Sequence, residues 1–585
     1  MKRIALFLLL FTVSFAYAQD DRGSISGLVT DQTDAVIPNA ALSVTNESTG
    51  VTQSATSDGA GAYSFKFLIP GVYTVSVSSA GFKQFSATHV RVEVAGHVGI
   101  NAKLTIGEPT ETVTVEGTGG ARLDTEDASL GFTIEGRSAQ ELPLQYSNPF
   151  ELQLLAPGVN STTLTVANHT YEGGSESAKI NGSQSGQTEF TLDGAPDTRN
   201  GGAVTTAYIP SKDMLGEFKL VTSPYDATVS HTSGGSLDAS LKSGSSKFHG
   251  GGTYYFQPPD VDAPAFSLGT QAAPVAKYNR ETAEVDGPIL SSKLFFMAGW
   301  ERQFNQQAAS TTTQTVPTDA EKKGDFSALL PLGTINSTTV ACTVNKVNML
   351  VAPYNTYQIF NPFSTHPDPN CPGQVIRDPY PGNIVPSIDP IAAKIMGYYP
   401  EPTGSATQSA NGLNNYVSNV SNIDNYWSVT SRLDYTISPS QKLFGHYVIS
   451  KRVQPGKNSF FPGASGQTLT LKNYAEALDY VNTLTPTTVL NLRFSYTRFT
   501  TVTSLTSPTT STDLGVNANA IAGANPKAAG FPQVKITGYA TLATPTPATR
   551  RTTFRWRWHP SPSPSADTIC GLARNGATTR PTRPT

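Results

Sequence analysis

Residues with catalytic potential are few in this sequence, and their spacing does not form a recognisable catalytic site. Gly182-Ser183-Gln184-Ser185-Gly186 looks like a nucleophile elbow, but no serine occupies the centre of a G-x-S-x-G pattern. Asp193, Asp197 and Asp226 could bind a cation, yet capping of turns explains them better. There is no phosphate loop ending in Lys-Ser or Lys-Thr and no His-Glu-x-x-His zinc site. We therefore expect no catalytic residue, no cofactor and no metal, and predict that the protein is not an enzyme.

Charge and cysteine content exclude further classes. The 585 residues carry a formal net charge of −3, and only 15% of them are charged. Because a nucleic-acid binder needs a basic excess to neutralise phosphates, we expect no nucleic-acid partner. Cys342 and Cys371 could form one disulfide in an oxidising compartment, which the sequence leaves open, and Cys570 would be left over.

The N-terminus has the pattern of an export signal. Lys2 and Arg3 precede an apolar run, Ile4–Phe15, that is too short to span a membrane as a helix. The small residues of Ala16-Tyr17-Ala18 predict cleavage between Ala18 and Gln19. We therefore expect residues 1–18 to be a signal peptide.

Residues 22–105 read as a small β-sandwich, because short strand-like runs alternate with turn residues. The predicted strands are Ser24–Thr30, Ala41–Thr45, Tyr63–Phe67, Val72–Ser78 and Val90–Val94. Three stretches, Gly23–Asp31, Asp58–Tyr63 and Leu68–Val75, resemble the carboxypeptidase regulatory-like module. The resemblance implies a prealbumin-like, carbohydrate-binding-like fold and no peptidase activity.

Residues 106–120 read as a linker with a short β-branched segment. Its residues are Glu111, Thr112, Val113, Thr114 and Val115. The segment resembles a TonB box, which pairs with the periplasmic TonB protein by adding an extended strand to a sheet edge. An ordinary strand is the alternative, because five such residues are common in any sheet.

Residues 121–247 carry an ordered set of motifs. A short helix is predicted from Asn148 to Leu155, after Pro143 and before Gly158. Asn181-Gly182 and Asp193-Gly194 should end strands in tight turns, where glycine tolerates positive φ. Further motifs are Ile209-Pro210-Ser211, Met214–Lys219 and Ser233–Leu237. Together they resemble the plug domain of TonB-dependent receptors.

From residue 248 to residue 545 the chain shows long alternating strands. Between Asn425 and Ile437, Trp427, Val429 and Leu433 fall on one face, and Ser428, Thr430 and Arg432 fall on the other. Apolar-out, polar-in segments joined by short turns are typical of an outer-membrane barrel, because backbone groups in lipid must pair within a closed sheet. Residues 303–423 interrupt the pattern as a long loop, which we assign to the extracellular side.

These features, taken together, resemble the Oar-like TonB-dependent receptors. The resemblance implies a mainly β protein with an N-terminal β-sandwich, an α+β plug and the first part of an outer-membrane antiparallel β-barrel. Its partners would be a TonB-type protein in the periplasm, outer-membrane lipid, and an extracellular ligand such as a saccharide, a peptide or a metal chelate. Its function would be energised uptake of a bulky nutrient. The alternative is an exported carbohydrate-binding or adhesion protein without transport activity.

The last residues, 546–585, break the pattern. Arginines cluster there with only Asp567 to oppose them, and Pro560, Pro562 and Pro564 alternate with serine. Because proline cannot occupy a central strand, we expect the barrel strands to end near residue 545. Two explanations remain: a truncated or frameshifted gene product, and a natural basic tail that binds an acidic surface.

Overall fold

The computed structural model describes the chain in segments. These are residues 22–108, 112–116, 130–142, 144, 148–161, 178–184, 186–200, 204–223, 233–258, 277–306, 310–336, 339–342, 347–350, 354–369, 375–404, 412–420, 422–457, 461, 464, 466–485, 488–505, 509–516, 531–542, 550–553 and 557–560. The predicted cleavage site at Ala18 and Gln19, Glu111 of the TonB-box-like segment, Asp226, Cys371 and Cys570 lie outside them.

The first domain is a two-sheet β-sandwich. Its strands are β1 Gly23–Thr30, β2 Ala41–Asn46, β3 Thr52–Thr56, β4 Ala62–Leu68, β5 Gly71–Ser78, β6 Gln84–Val92, β7 His97–Gly99, β8 Ala102–Lys103 and β9 Thr112–Glu116. One sheet has the order β4-β1-β7, with β8 also on β1, and the other has the order β3-β2-β5-β6-β9. Alternate apolar residues such as Val75 and Val77 fill the space between the sheets. The predicted sandwich is thus confirmed; β3, β7 and β8 are additions, and β6 starts at Gln84 where Val90 was predicted.

The second domain, which we call the inner domain, covers the described residues between 130 and 241. It contains β10 Leu130–Glu135, an α-helix Gly136–Glu141, a 3-10 helix Pro149–Leu155, β11 Val159–Ser161, β12 Ala178–Ile180, β13 Glu189–Leu192, β14 Ala195–Pro196, β15 Thr198–Asn200, β16 Val204–Thr206, β17 Leu215–Ser223 and β18 Ser236–Leu241. Its main sheet has the order β10-β17-β18-β13-β14. The predicted helix is the 3-10 helix, capped by the Asn148 side chain on the amide of Phe150.

The largest sheet, the barrel sheet, is antiparallel throughout. Its strands are β19 His249–Gln257, β20 Lys277–Leu290, β21 Leu294–Gln306, β30 Ile423–Ser438, β31 Gln441–Lys457, β32 Gln467–Thr485, β33 Thr488–Leu505, β34 Arg550–Thr553 and β35 Arg557–Pro560. The first seven follow one another in sequence order, and β34 and β35 both pair with β33. Short turns, such as residues 291–293 and 439–440, lie at one end of the sheet, and the long connections lie at the other.

Two expectations about this region have different outcomes. The predicted alternation is confirmed: Ser428, Thr430 and Arg432 are buried, whereas Trp427 and Leu433 are exposed. The expected end of the barrel strands near residue 545 is wrong, because β34 and β35 pair with β33 beyond that point. Pro560 is tolerated because β35 lies at an edge of the sheet, where a missing amide donor breaks no central ladder.

The connections at the far end of the barrel sheet pack on one another. They contain β22 Ser310–Gln314, β23 Ile335–Asn336, β24 Thr339–Cys342, β25 Val347–Leu350, β26 Tyr354–Asn355, β27 His366–Pro367, β28 Val375–Ile376 and β29 Tyr416–Val420, the α-helices Asp319–Lys322 and Pro390–Met396, and the 3-10 helices Ser327–Leu332 and Pro381–Asn383. A small core of Val316, Tyr399, Phe461, Leu514 and Phe531 joins three of these connections. The part of the chain that the structure describes contains no candidate for a membrane-spanning helix.

Candidate functional site between the inner domain and the barrel sheet

The inner domain packs on the polar face of the barrel sheet. Its apolar core includes Met297 of β21, Val448 of β31 and Ala475 of β32, which face inward. Around this small apolar contact, the facing side chains are mostly charged or hydroxylated and are buried. Because buried charges are costly unless they are paired, the pairs that cross this interface fix how the two domains fit.

The Asp193-Gly194 turn is the inner domain's main contact with the barrel wall. It joins β13 to β14, and both residues have positive φ, +49° and +71°. This is the conformation of a two-residue hairpin turn, which favours an aspartate followed by a glycine. The predicted tight turn is therefore present, and it projects the Asp193 carboxylate towards the wall.

Asp193 is held by groups from both domains. Its carboxylate accepts hydrogen bonds from Arg432 Nη1 at 2.7 Å and His446 Nδ1 at 2.9 Å, and from the backbone amide of Leu241 at 3.1 Å. Arg432 also binds Asp434 and lies 4.5 Å from the centre of the Phe444 ring. Burial acts to raise the pKa of Asp193, but Arg432 and His446 outweigh it and hold that pKa below its ordinary value. Asp193 is thus a buried carboxylate that accepts hydrogen bonds from one arginine and one histidine of the barrel wall.

A second set of charges meets the same turn from its other side. Arg493 donates to the carbonyl oxygen of Gly194 at 2.9 Å and to Asp479 at 2.5 Å. Asp479 also accepts from Arg22 at 2.8 Å, and both of these side chains are buried. The first described residue of the sandwich therefore binds the barrel wall next to the Asp193-Gly194 turn.

A third set lies beside β20 and β21. Arg280 binds Glu301 at 2.7 Å, and neither side chain is exposed to solvent. Asp213 of the inner domain approaches Arg280 at 3.6 Å and accepts from Thr282 at 2.8 Å. Nearby, the Tyr208 hydroxyl hydrogen-bonds Thr430 at 2.6 Å. The inner domain is thus bound to the wall at several separated points.

The other predicted turn has a role within the inner domain. Asn181 and Gly182 both have positive φ, and Asn181 Nδ2 donates to the carbonyl oxygen of Thr222 at 2.8 Å. Asp197 is also buried, and burial raises its pKa well above the ordinary value. A carboxyl group that favours its neutral form is a poor cation ligand. Within the described residues, no group of three or more acidic, histidine or cysteine side chains could hold a metal ion.

The described part of the TonB-box-like segment is a strand, not a free linker. Thr112–Glu116 forms β9, which pairs in parallel with β6 from Gln84↔Thr112 to Thr88↔Glu116. Val113 and Val115 are 38% and 46% exposed, so β9 lies at the solvent-facing edge of the sandwich. The described residues of this segment form no hydrogen bond with the Asn181-Gly182 turn or with the Asp193-Gly194 turn.

The sandwich contacts the inner domain through the end of β6 and the residues that follow it. Glu217 of β17 accepts hydrogen bonds from Arg91 at 3.2 Å and from the backbone amide of Val94. Lys219 donates to the carbonyl oxygen of Ala95 at 3.1 Å, and Thr133 donates to Glu93 at 2.8 Å. Burial raises the pKa of Glu217 to about 7. This contact connects the sheet that carries β9 to the inner domain.

The partners of the Asp193-Gly194 turn were not identified from sequence. The alternation predicts the polar face of its strand for Arg432, but nothing in the sequence pairs Arg432 or His446 with Asp193, which lies more than 200 residues earlier. The available signal was the presence of charged residues on the polar faces of the barrel strands, such as Asp424, Arg432 and Asp434 on β30. Arg280, Asp479 and Arg493 share this signal, because each occupies the buried face of a barrel strand.

Comparisons with known families agree with this architecture. Residues 240–558, more than half of the chain, match the family described as outer membrane beta barrel domain. Residues 24–105 match the carboxypeptidase regulatory-like domain. The first match includes β34 and part of β35, in agreement with their pairing in the barrel sheet.

Individual relatives are more distant. The TonB-dependent transporter Oar of Myxococcus xanthus is 23% identical over 326 residues, which is 53% of this chain and 29% of that protein. Among solved structures, the outer membrane transporter YddB of Escherichia coli has 13% identity and a TM-score of 0.39, and it covers 64% of this chain and 39% of its own. The siderophore receptor PirA of Pseudomonas aeruginosa has 11% identity and a TM-score of 0.34, with 64% and 41% covered.

The chain therefore spans less than half the length of each of these relatives. The family assignment rests on the match that covers most of the barrel sheet, on the inward polar face and outward apolar face of its strands, and on the match of the sandwich. The chain belongs to the outer membrane β-barrel domain family, and it lies in the outer membrane with a carboxypeptidase regulatory-like domain ahead of its barrel strands.

Proposed function

We propose that this chain acts as an outer-membrane receptor for energised uptake of a bulky nutrient, with the inner domain as its plug. The observation that carries the proposal is a separate domain lodged on the polar face of the barrel sheet and held there by buried ion pairs. A barrel that only anchored the sandwich to the membrane would not need a second domain bound to its polar face by buried charges. The similarity to a TonB-dependent transporter supports the same function.

The chemistry of the interface suits a domain that must be displaced. Ion pairs such as Asp193 with Arg432 lose their partner when the domain moves, but water that enters the gap can solvate both charges. An apolar interface of the same area would expose apolar surface to water in the channel as the inner domain separates, and this exposure would oppose the separation. The polar interface therefore fixes the inner domain in one orientation on the barrel sheet and allows it to separate when force is applied.

The direction of transport follows from the two ends of the barrel sheet. Short turns lie at the end where the sandwich binds Asp479, and long connections lie at the other end. Outer-membrane barrels have short turns on the periplasmic side and long loops outside. We therefore place the sandwich and β9 in the periplasm, within reach of a TonB-type protein, and place ligand binding on the outer surface of the long connections that pack around Tyr399 and Phe461.

A cysteine cross-link tests the energised mechanism. Val113→Cys in β9 should form a disulfide with a cysteine placed in the strand of the organism's TonB-type protein that would pair with it, in outer membranes from cells that express both. Ser54→Cys is the matched control, because Ser54 is exposed on β3, the opposite edge strand of the same sheet.

Cross-linking at Val113 with none at Ser54 is the expected result. Equal cross-linking at both edges, or none at either, would contradict a TonB-dependent role. Loss of the protein from the outer-membrane fraction into the soluble one would instead favour an exported carbohydrate-binding protein.

A further inference from the structure

A line of basic residues crosses the outward face of the barrel sheet. Arg302 of β21 pairs with Trp427 of β30, Trp427 pairs with Lys451 of β31, and Lys451 pairs with Lys472 of β32. The four residues therefore lie side by side on four neighbouring strands, about 5 Å apart from one strand to the next. Arg302, Trp427 and Lys472 are exposed, and Lys451 is half-buried. We call these four residues the basic row.

The basic row lies at one border of the apolar band of the sheet. At the other border, Tyr435 and Tyr480 pair with Leu443 near the short turns. Between Trp427 and Tyr435, β30 extends about 26 Å, or about 20 Å along the bilayer normal at the usual strand tilt. Aromatic residues border the apolar band of such barrels at both membrane surfaces. The basic row is therefore at the surface nearer the long connections, which is the outer leaflet.

The charge of the basic row is not balanced by the protein around it. Lys451 and Lys472 are directly opposite each other, and like charges in this position destabilise a sheet. Among the described ion pairs only one reaches the row, from Glu281 to Arg302 at 3.8 Å, and both of its side chains are partly exposed. The next acidic residue on the outward face of β32 is Glu476, about 13 Å further along the strand. An anion that is not part of this sheet would therefore stabilise the row.

We propose that the basic row binds the phosphate groups of anionic lipids in the outer leaflet. A phosphate between Lys451 and Lys472 would replace their mutual repulsion by two charge-assisted hydrogen bonds. The planar guanidinium of Arg302 suits two oxygens of one phosphate, and the indole N–H of Trp427 can donate to a lipid head group. This inference goes beyond the proposed function, because it assigns a lipid site to the outside of the barrel and does not depend on transport.

The alternative is that each basic side chain only extends along the barrel surface to reach water. Long side chains of lysine and arginine do this at membrane surfaces without binding a particular lipid. That behaviour explains single cations, but it gives no reason for two lysines to be paired directly. The two explanations differ in the lipids that surround Trp427, because only a phosphate site enriches anionic lipid there.

The fluorescence of Trp427 measures this local lipid composition. The probe protein is the full chain with Trp300, Trp556 and Trp558 changed to phenylalanine, which leaves Trp427 as its single tryptophan. It is folded into vesicles that contain phosphatidic acid and phosphatidylcholine in a fixed ratio. Brominated acyl chains, which quench tryptophan on contact, are carried by phosphatidic acid in one preparation and by phosphatidylcholine in the other. The bulk composition is thus the same in both, and only the quenching lipid differs.

Three variants of the probe protein separate charge from position. Lys451→Gln with Lys472→Gln removes the paired cations, and Lys451→Arg with Lys472→Arg keeps both charges. Lys293→Gln is the matched control, because Lys293 is an exposed cation in a short turn at the opposite end of the sheet. Circular dichroism verifies that each variant keeps its strand content.

We expect the quenching to show phosphatidic acid enriched around Trp427 by about fivefold or more over its bulk share, equivalent to about 1 kcal/mol. The glutamine pair should reduce the enrichment to less than about twofold, whereas the arginine pair and Lys293→Gln should retain it. Equal quenching by both lipids in the probe protein, or enrichment that survives in the glutamine pair, would overturn the lipid site. Loss of enrichment in the Lys293→Gln control would do the same, because it would indicate a general effect of net charge.

Inorganic phosphate distinguishes a lipid site from a site for the free anion. Its addition to the vesicles, compared with sodium chloride at the same ionic strength, should leave the enrichment of phosphatidic acid unchanged. If inorganic phosphate abolishes the enrichment and sodium chloride does not, the basic row binds the soluble anion and the assignment to lipid is wrong.

Discussion

The sandwich and the barrel sheet use the same strand alternation with opposite burial. In the sandwich, Tyr73, Val75 and Val77 of β5 are buried and the polar residues between them are not. In the barrel sheet, Ser428, Thr430 and Arg432 of β30 are buried, whereas Trp427 and Leu433 are exposed. Period-two alternation alone therefore predicts a strand with two different faces, but it does not predict which of the two faces is buried.

The difference between the two regions is the solvent that surrounds them. Water around the sandwich drives its apolar faces together, as in any soluble domain. Lipid around the barrel removes that driving force, since acyl chains are as apolar as leucine. The barrel interior is then held by paired charges and hydrogen bonds, of which the Asp193 cluster is the clearest case. Similar substitutions should consequently reduce stability by different amounts in the two regions.

The largest contrast is expected between two Asp-Gly turns. Asp193→Ala leaves Arg432 and His446 buried without their shared carboxylate, which should cost about 3–5 kcal/mol. Asp58 of the sandwich only caps its own turn, through the amides of Ala60 and Ala62, so Asp58→Ala should cost about 1 kcal/mol. Local stabilities from hydrogen exchange with mass spectrometry, in detergent, measure both.

Asp193→Asn sharpens this test because it keeps the size and a hydrogen-bonding side chain but removes the charge. It should fall between wild type and Asp193→Ala. If Asp193→Ala destabilises the inner domain no more than Asp58→Ala destabilises the sandwich, the buried pairs do not hold the inner domain in place.

The next contrast introduces the same charge at outward-facing positions of the two regions. Val429→Arg places a cation on the lipid-facing side of β30, which should cost about 2–4 kcal/mol if the position is near the middle of the bilayer. Ser54→Arg on the exposed edge of the sandwich should change stability by less than about 0.5 kcal/mol. Unfolding by guanidinium of protein folded into lipid vesicles compares the two, and equal effects would argue against a lipid-facing surface at Val429.

Sequence patterns predicted each sheet but not how the sheets meet. Strand positions in the sandwich and the barrel followed from alternation, because each residue's face depends only on its neighbours in the chain. The contact of Arg432 with Asp193 depends on how a separate domain is oriented in the barrel, which local periodicity does not encode. The residues were visible as charges on the polar face, but their partners were not.

Three strands, β9, β34 and β35, were missed for related reasons. β9 was read as a linker because its pairing with β6 is parallel and joins residues 28 apart, with no hairpin turn to indicate it. β34 and β35 were assigned to a tail because their arginines and Pro560 hide any alternation. Both cases involve strands at the margin of a sheet, where only one neighbour constrains the side chains.

A smaller contrast comes from shortening valine in each region. Val77→Ala in the sandwich core removes two methylene equivalents of buried surface, worth about 1.6 kcal/mol, and leaves a cavity that adds to the cost. Val429→Ala on the lipid side should cost less than about 0.5 kcal/mol, because lipid chains fill the space and replace the lost contacts. Hydrogen exchange in the same lipid vesicles checks both, and a large loss at Val429 would indicate protein packing there rather than lipid.

The smallest effect is expected at the contact between the sandwich and the inner domain, and it should depend on pH. Glu217 is buried against Arg91, Glu93, Glu135 and the amide of Val94, and burial raises its pKa to about 7. A carboxyl group whose pKa is raised in the folded state stabilises the contact while it is protonated, and this contribution is lost as the pH rises through about 7.

The contact between the sandwich and the inner domain should therefore be tighter at about pH 5 than at about pH 8. Glu217→Gln should remove most of this difference between the two pH values, because glutamine stays neutral and still accepts the Val94 hydrogen bond. Hydrogen exchange at the amides of residues 91–95, corrected for the intrinsic pH dependence of exchange, reports on this contact alone. The effect on global stability should be small, because Arg91 remains beside the carboxylate at every pH and this contact is only one of several that hold the inner domain. A pH dependence that persists in Glu217→Gln would assign the titration to Glu93 or Glu135 instead.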